Sequence, residues 1–405
     1  MKQFDKHFLM TLEDVSQYVL QSLDFFEDEE VTVEEIGDGN INYVFRVIGK
    51  KSKKSLVIKQ ADILLRSSQR PLDIDRNRIE AEILALEGQL APNLVPKIYK
   101  YDPIMCALIM EDISDHKNLR KALLECEIYP NLSEDMSTFL LDTLLPTTDL
   151  VMDSFEKKDL VRNYINKDMC KISEDLVFTE PYRDYKGRNL ILKGNLEFVE
   201  EELYRDEKLV LEAGKLKNKF MNNAQALIHG DLHSGSIFVT KTSTKILDPE
   251  FAFYAPMGYD IGNVIGNLFF AWTNALVTRK DEDVTEFLTW IEETIKDIVD
   301  KFKVKFLKKY DEIVTDVLAK EENFKNWYLT TVLEDTSGVA GLEIIRRVVG
   351  DAKVIDVTGI QDENQRIRAE RILILLGKEL IKNRDLILNG NDYVEIFKKI
   401  SKNNL

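Results

Sequence analysis

The stretch HGDLHSGS, residues 229–236, places acidic, imidazole and hydroxyl side chains between two apolar runs at 226–228 and 237–239. A short polar turn between buried strands directs its side chains into a cleft. In such a cleft Asp231 can accept a hydroxyl proton or orient an attacking alcohol. The alternative is that the aspartate and the histidines only hold the turn together.

A second acidic turn follows 17 residues after Asp231, in the stretch KILDPEFAFYAP. Asp248 and Glu250 leave an apolar strand, and Pro249 between them fixes the turn. Magnesium is a hard cation that prefers carboxylates together with nucleotide phosphates. The two carboxylates therefore predict a metal-binding turn.

Lys59 ends an alternating strand, and Glu80 lies on the helix predicted to follow it. A lysine buried on a sheet face needs a carboxylate partner or an anionic ligand, because an unpaired buried charge is costly. The pair Lys59 and Glu80 could grip nucleotide phosphates. Two alternatives stay open: Lys59 is a surface lysine, and Glu82 and Glu87 are carboxylates on a solvated helix face.

The stretch IGDGNINYVF has glycines at 37 and 39 and asparagines at 40 and 42 between two predicted strands. A dinucleotide-binding fingerprint would need a strand, a loop and then a helix, so the Rossmann interpretation fails. A glycine-rich hairpin can instead fold over phosphates, since backbone N–H groups approach the oxygens closely. Taken alone, the stretch is equally typical of an ordinary hairpin turn.

Two adjacent arginines, Arg346 and Arg347, lie in GLEIIRRVVG between pairs of β-branched apolar residues. An arginine in such surroundings needs a carboxylate or phosphate partner. Neighbouring helical positions differ in direction by about 100°, so only one of the two is expected to face a cleft directly.

Sheet and helix patterns surround these residues in a definite order. Residues 31–60 alternate with period two and predict three antiparallel strands, and residues 76–90 have helical spacing. Two more strands are predicted within 94–102 and 104–112, after which helical patterns dominate. The pattern favours an α+β chain with one boundary near residue 113.

The composition excludes several classes of protein. A formal charge of −16 argues against nucleic acid as a partner, because neutralising phosphates needs a basic surface. Three scattered cysteines, at 106, 126 and 170, suggest neither a disulfide framework nor a zinc site. Without a leader or a long apolar run, the chain is expected to be soluble and cytoplasmic, with no membrane partner.

The glycine hairpin, strand lysine, helix glutamate, HGDLHSGS and DPE occur in the order and spacing that resemble the protein-kinase-like small-molecule kinases. The variants GDGNINYVF, HGDLHSGSIF, DPEFAFY and EIIRR are similar to the methylthioribose kinase branch. This resemblance runs from about residue 34 to the C-terminal helices. It implies a two-lobed fold, with an N-terminal lobe 1–113 and a helical lobe 114–405, and ATP and Mg²⁺ between the lobes.

The resemblance also implies the reaction and the residues that perform it. The expected reaction is phosphorylation of the 1-hydroxyl of 5-methylthioribose, a step in methionine salvage, by a homodimer. Asp231 would be the base, Arg346 would contact the substrate, and Arg347 would help to stabilise the phosphoryl group. The residues expected to bind the nucleotide and its metal are Asn40, Lys59, Glu80, Glu111, Asp112, Ile113, Asp248, Pro249 and Glu250, with Asp248 and Glu250 on Mg²⁺.

The sequence departs from the wider kinase pattern at three places. Ser236 stands where an asparagine metal ligand is usual, and Glu250 replaces a glycine and can supply the missing ligand. This exchange matches the methylthioribose kinase branch. In the loop after Lys59, Arg70 lies in QRPL where that branch carries Trp-Pro.

Further residues of these motifs are assigned to architecture. Asp260 is expected to cap the following helix and brace the catalytic loop, and His229 and His233 are expected to hold that loop. Two other functions remain open: a related phosphotransferase acting on an aminoglycoside, choline or homoserine, and a nucleotide-binding module without catalysis.

Overall fold

The computed structural model describes residues 3–27, 29–36, 42–63 and 72–404. Asn40, for which a nucleotide contact is expected, and Arg70 lie outside these ranges. Among the described residues, none of the helices combines the length and the apolar character needed to span a bilayer.

An antiparallel sheet forms the N-terminal part of the described chain, in the order β1-β2-β3-β5-β4. The prediction of three strands, a helix and two further strands is confirmed. The elements are α1 Leu12–Ser22, β1 Val31–Glu35, β2 Tyr43–Gly49, β3 Ser55–Gln60, α2 Asp75–Leu90, β4 Ile98–Asp102 and β5 Ala107–Glu111.

Strand alternation decides which face of the sheet each side chain occupies. Leu56 and Ile58 of β3 point to one face and pack in a core with Tyr18 of α1. Val57 points to the other face and packs in the core that contains Leu84 of α2. Because side chains alternate along a strand, Lys59 shares the α2 face with Val57.

The chain after the sheet is mainly helical, as the sequence predicts. A two-residue strand, β6 Lys117–Asn118, precedes it. The helices are α3 Leu119–Leu124, α4 Leu132–Leu144, α5 Ser154–Asn163, α6 Lys167–Leu176, α7 Leu196–Val199, α8 Glu207–Asn222, α9 Gly258–Thr278, α10 Asp281–Ile313, α11 Glu322–Val349, α12 Ile355–Thr358, α13 Glu363–Lys382 and α14 Gly390–Asn404. The polar segment 179–190 is a loop.

Helix α9 lies at the centre of this helical part, with most of its residues buried. It packs closely against α11 through glycines spaced four residues apart. A Cβ at Gly258 would lie 2.7 Å from the backbone nitrogen of Thr336, and one at Gly262 would lie 2.6 Å from the carbonyl oxygen of the same residue. These glycines let the two helix backbones approach each other.

Four short strands frame the two acidic turns. They are β7 Ala226–Ile228, β8 Ile237–Val239, β9 Thr244–Ile246 and β10 Phe253–Ala255. β7 pairs with β10, and β8 pairs with β6 and β9, all antiparallel. The apolar runs that flank 229–236 therefore form strands, and these strands hold both turns in place.

Candidate active site

Lys59 lies between two carboxylates that come from different parts of the chain. Its Nζ donates to Glu80 Oε1 at 2.5 Å and to Asp248 Oδ1 at 2.6 Å. Burial alone would lower the pKa of Lys59, but the charges of Asp248, Glu80 and Glu250 outweigh it and raise the pKa above its ordinary value. The structure thus brings three of the predicted nucleotide and metal residues around one ammonium group.

The structure overturns the surface alternative for Lys59 and the solvated position expected for Glu87. Lys59 is buried, so it is not a surface lysine. Glu87 is buried as well, and burial together with the charge of Asp260 raises its pKa well above the usual range. Only Glu82 lies on a solvated face, where it accepts from Arg78 at 2.9 Å. Helical spacing alone did not predict the burial of Glu87, because neighbouring elements cover more of the α2 surface than its apolar stripe.

Asp248 adopts an unusual backbone conformation at the start of the second turn. Its φ of 66° lies in the left-handed region, which is uncommon for residues other than glycine and is concentrated at functional sites. Burial raises its pKa, but the ammonium of Lys59 outweighs this effect and keeps the carboxyl below its ordinary pKa. Asp248 is therefore ionised at neutral pH.

Glu250 is buried with an oxygen that lacks a hydrogen-bond partner among the described residues. Its nearest cation is Arg76, whose Nε lies 4.0 Å from Glu250 Oε2. Burial raises the pKa of Glu250 to about 8. A buried carboxylate oxygen without a partner is the kind of group that a cation satisfies, so the turn fits Mg²⁺.

The described residues contain no group of three or more histidine, cysteine, aspartate or glutamate side chains arranged to hold a metal ion. Magnesium in nucleotide sites takes one or two carboxylates and completes its shell with phosphates and water. Asp248 and Glu250 match that donor set. The turn is thus suited to a metal that arrives with a nucleotide.

The loop 229–236, here called the catalytic loop after its expected role, is held by Asp260 and by the conformation of its own backbone. Gly230 has a φ of 82° and precedes Asp231. Asp260 accepts from the backbone N–H of His229 at 2.7 Å and from that of Gly230 at 3.0 Å. Asp260 therefore braces the loop as expected. It does not cap α9, which begins at Gly258 without a side-chain cap.

The polar side chains of the loop mostly bind the loop itself. His229 Nε2 donates to the carbonyl of Leu247 at 2.8 Å, and His233 Nδ1 accepts from the N–H of Gly235 at 2.9 Å. Ser236 Oγ donates to the backbone carbonyl of Asp231 at 2.9 Å. These contacts agree with an architectural role for both histidines, and they occupy the hydroxyl that replaces the usual asparagine.

The Asp231 side chain is 24% exposed, and the charges of both arginines affect its pKa. Burial raises its pKa, and the charges of Arg347 and Arg346 oppose that shift. His233 Nε2 lies 3.5 Å from Asp231 Oδ2. Burial prevails and leaves the pKa of Asp231 above its ordinary value, which makes the carboxylate a better acceptor for the proton of a hydroxyl.

Arg346 and Arg347 both bind one carboxylate, Glu343. Arg346 Nε donates to Glu343 Oε2, and Arg347 Nε donates to Glu343 Oε1 at 2.9 Å. Burial alone would raise the pKa of Glu343, but the two arginines lower it to about 2. The sequence indicated that the arginines need a partner but did not identify Glu343. This residue lies three positions before Arg346 and four before Arg347 in the same motif.

Glu111, Asp112 and Ile113, which are predicted to bind the nucleotide, lie at the end of β5 and directly after it. Glu111 Oε2 accepts from the backbone N–H of Lys97 at 3.0 Å, and Asp112 Oδ2 accepts from Arg46 Nε at 2.6 Å. Ile113 is buried, and its carbonyl accepts from the N–H of His116 at 2.8 Å. Both acidic side chains are thus engaged in holding the segment, and its backbone runs from the sheet to the helical part.

Arg76 is a further residue that sequence reasoning missed. It is buried on α2, and its Nη2 donates to Asn42 Oδ1 at 3.2 Å and to the carbonyl of Asp62 at 3.2 Å. With Nε near Glu250, it links the metal turn to the end of the glycine hairpin. A single arginine within a helical pattern gives no sequence signal of such a position.

Comparison with known proteins identifies the family. A profile of the phosphotransferase enzyme family matches residues 32–287. A methylthioribose kinase of Geobacillus sp. (strain WCH70) is 38% identical over 92% of this chain and 91% of its own length. One of Bacillus cereus (strain B4264) is 39% identical over 90% of this chain and 91% of its own length.

Among solved structures, choline kinase from Cryptosporidium parvum covers 95% of this chain and 100% of its own, at 15% identity and a TM-score of 0.49. A likeness of that degree adds nothing to the assignment, which depends on the sequence relatives and the family profile. The protein belongs to the methylthioribose kinase family, within the phosphotransferase enzyme family.

Proposed function

We propose that this chain transfers the γ-phosphoryl group of ATP to the 1-hydroxyl of 5-methylthioribose, giving 5-methylthioribose 1-phosphate in methionine salvage. The observation that carries the proposal is the 36–39% identity to methylthioribose kinases along nearly the whole chain. The grouping of Asp231, Lys59, Asp248 and the arginine pair supports it, because each fits a step of phosphoryl transfer.

ATP binds between an N-terminal lobe of residues 1–113 and a helical lobe of residues 114–405 in this proposal. Lys59 contacts the phosphates, with Glu80 holding its ammonium in place. The backbone of Glu111 and Ile113, with Asp112 between them, receives the adenine, and Asn40 of the glycine hairpin covers the phosphates. The shared ammonium supports this role, since Lys59 contacts both Glu80 and Asp248.

Asp248 and Glu250, with Pro249 between them, hold Mg²⁺ in the same proposal. The metal, when bound, neutralises charge on the nucleotide phosphates. The partnerless oxygen of Glu250 supports this assignment. Ser236 is a poorer magnesium ligand than the asparagine that it replaces, and its hydroxyl donates to the carbonyl of Asp231.

Asp231 accepts the proton of the 1-hydroxyl as the hydroxyl oxygen forms its bond to the γ-phosphorus. The bond from that phosphorus to the bridging oxygen breaks, and ADP leaves with the electron pair. Arg346 contacts the substrate, and together with Arg347 it balances charge on the transferred group. Glu343 keeps the two guanidinium groups side by side, which supports a shared role.

The deciding experiment measures phosphate transfer from Mg·ATP to 5-methylthioribose, beside ribose, choline, homoserine and kanamycin. Selective transfer to 5-methylthioribose is expected. Transfer to another acceptor instead would favour a related phosphotransferase. Nucleotide binding without transfer to any acceptor would favour a module that has lost catalysis.

A further inference from the structure

A buried hydrogen-bond network joins the catalytic loop to the arginine pair through Asn267 of α9. The Asn267 amide oxygen accepts from the backbone N–H of Ser234 at 3.3 Å and from its hydroxyl at 3.1 Å. The Asn267 amide nitrogen donates to Glu343 Oε1 at 3.0 Å. All three residues are buried. One side chain therefore contacts both the loop that carries Asp231 and the carboxylate that holds the arginines.

The Glu343 carboxylate receives donors on both of its oxygens. Oε1 accepts from Asn267 Nδ2 and from Arg347 Nε, and Oε2 accepts from Arg346 Nε. A buried carboxylate held in this way cannot rotate without breaking a charge-assisted hydrogen bond. The orientation of Glu343, and with it the position of each guanidinium, is thus tied to the amide of Asn267.

The network extends beyond Ser234 to a third arginine. Arg120 Nε donates to Ser234 Oγ at 3.1 Å, and the Arg120 backbone N–H donates to the Ser234 carbonyl at 3.1 Å. Asp356 Oδ2 lies 3.7 Å from Arg120 Nε. In the described part of the chain, Arg120 Nη2 and both carboxylate oxygens of Asp356 are buried without a hydrogen-bond partner. Burying polar atoms without a partner costs free energy. Their position beside the loop 229–236 therefore indicates a functional role rather than a stabilising one.

We propose that Asn267 is a positioning residue for phosphoryl transfer, which holds the Glu343–arginine unit in register with the catalytic loop. The inference rests on the proposed function, because it requires the arginine pair to act on the transferring group. Electrostatic stabilisation depends on geometry, and a displacement of about 1 Å can cost about 100-fold in rate. The nucleotide residues lie elsewhere, so ATP affinity does not depend on Asn267.

Asn263, one helical turn before Asn267, provides a matched control. It is also a buried asparagine of α9, and its Nδ2 donates to the carbonyl of Tyr259 at 2.8 Å, within the same helix. Replacing Asn263 by alanine removes the same volume and a buried hydrogen bond. It leaves the bonds from Asn267 to Ser234 and Glu343 in place.

The experiment measures kcat, the KM values for ATP and acceptor, and Tm for Asn267→Ala and Asn263→Ala. For Asn267→Ala we expect kcat to fall about 10–100-fold, with the KM for ATP unchanged. For Asn263→Ala we expect a comparable loss of Tm with kcat unchanged. An unchanged kcat in Asn267→Ala, or equal falls in both variants, would show that the asparagine only supports the core.

A second variant covers the case in which Asn267→Ala does not fold. Ser234→Ala removes the hydroxyl that Asn267 and Arg120 share, and it keeps the backbone bond to Asn267. A fall in kcat with unchanged KM for ATP is expected, and normal turnover would reject the inference.

A double-mutant cycle separates this inference from the proposed function. The effects of Asn267→Ala and Arg347→Lys on kcat should be less than additive, because both act through the same guanidinium. Additive effects would reject the coupling. If Arg347→Lys alone leaves kcat unchanged, the proposed role of the arginine pair fails. If only Asn267→Ala has no effect, the positioning role alone fails.

Discussion

At the scale of single residues, three acidic side chains share one buried ammonium group. Glu80, Asp248 and Glu250 surround one ammonium, that of Lys59, and Arg76 is the nearest further cation. Such a group of carboxylates costs free energy in a buried setting unless cations compensate it. A magnesium ion that arrives with its nucleotide would offset the same cost.

Asp231→Asn tests the base directly. The amide keeps the size of the side chain but cannot accept the hydroxyl proton, so we expect kcat to fall about 10²–10⁴-fold. Binding of Mg·ATP, measured by calorimetry, should remain. Retained turnover would remove Asp231 from the role of base, and lost ATP binding would point to a wider disturbance of the loop.

Asp260→Asn tests the protonation of the carboxyl that accepts from the backbone N–H groups of His229 and Gly230. Burial raises the pKa of Asp260 to about 7, above its ordinary value of 3.8. Between these two values the folded state binds more protons than the unfolded state, so this group makes stability fall as pH rises.

Tm is measured for both proteins from pH 5 to pH 8, about the range in which this carboxyl titrates. Up to about pH 7, the Tm of the wild type should fall relative to that of Asp260→Asn. Above that pH the difference should level off. A difference that does not vary with pH would mean that Asp260 is ionised throughout.

Single residues also show where sequence reasoning stops. The orientation of Lys59 towards Glu80 follows from two local patterns, the alternation of side chains along β3 and the position of α2 next in the chain. Asn267 and Glu343 meet only because α9 and α11 pack together, and the burial of Glu87 depends on neighbours distant in sequence. A periodic pattern predicts which face of an element is buried, but it does not say which polar side chains on two buried faces become partners.

At the scale of elements, the contact between α9 and α11 places the arginine pair beside the loop. Gly266 continues the glycine spacing, and a Cβ there would lie 3.2 Å from Glu343 Cγ. The spacing of Gly258, Gly262 and Gly266 is present in the sequence but did not by itself predict this helix contact. A pattern of small residues becomes informative only when the partner helix is known.

Gly262→Ala should separate these two helices. Its Cβ would lie within 2.6 Å of the carbonyl oxygen of Thr336 and 2.7 Å of the backbone nitrogen of Ala340, and backbone atoms cannot rotate away. We expect a loss of about 1–3 kcal/mol in the free energy of unfolding, measured by urea titration. Gly214, beside which nothing lies within 4 Å, is the matched control, and alanine there should not destabilise α8. Equal stability of the two variants would contradict the close approach.

At the scale of the whole molecule, both buried side chains and polar contacts join the sheet and α2 to the helical part. Lys59 binds Asp248, and Lys245 Nζ lies 3.3 Å from Glu111 Oε2. The N–H of Ile246 donates to the carbonyl of Leu94 at 2.8 Å. The two-lobed class was predictable from the order of strand and helix patterns. The contacts between the lobes were not, since they join segments far apart in sequence.

Homodimerisation is expected from the family resemblance and is tested on the intact chain. Sedimentation equilibrium should give twice the 46.9 kDa of one chain at micromolar concentration. A mass of 46.9 kDa at every concentration would show that the protein acts as a monomer.

The close approach at Gly230 holds the loop of Asp231 against the turn of Asp248 and Glu250. A Cβ there would lie 2.3 Å from the carbonyl oxygen of Phe251, and the N–H of Leu247 donates to the carbonyl of Ser236 at 2.9 Å. The loop of Asp231 and the turn of Asp248 and Glu250 are therefore joined at two points. In the proposed mechanism, Asp231 and the two metal carboxylates therefore keep their mutual distances through each catalytic cycle.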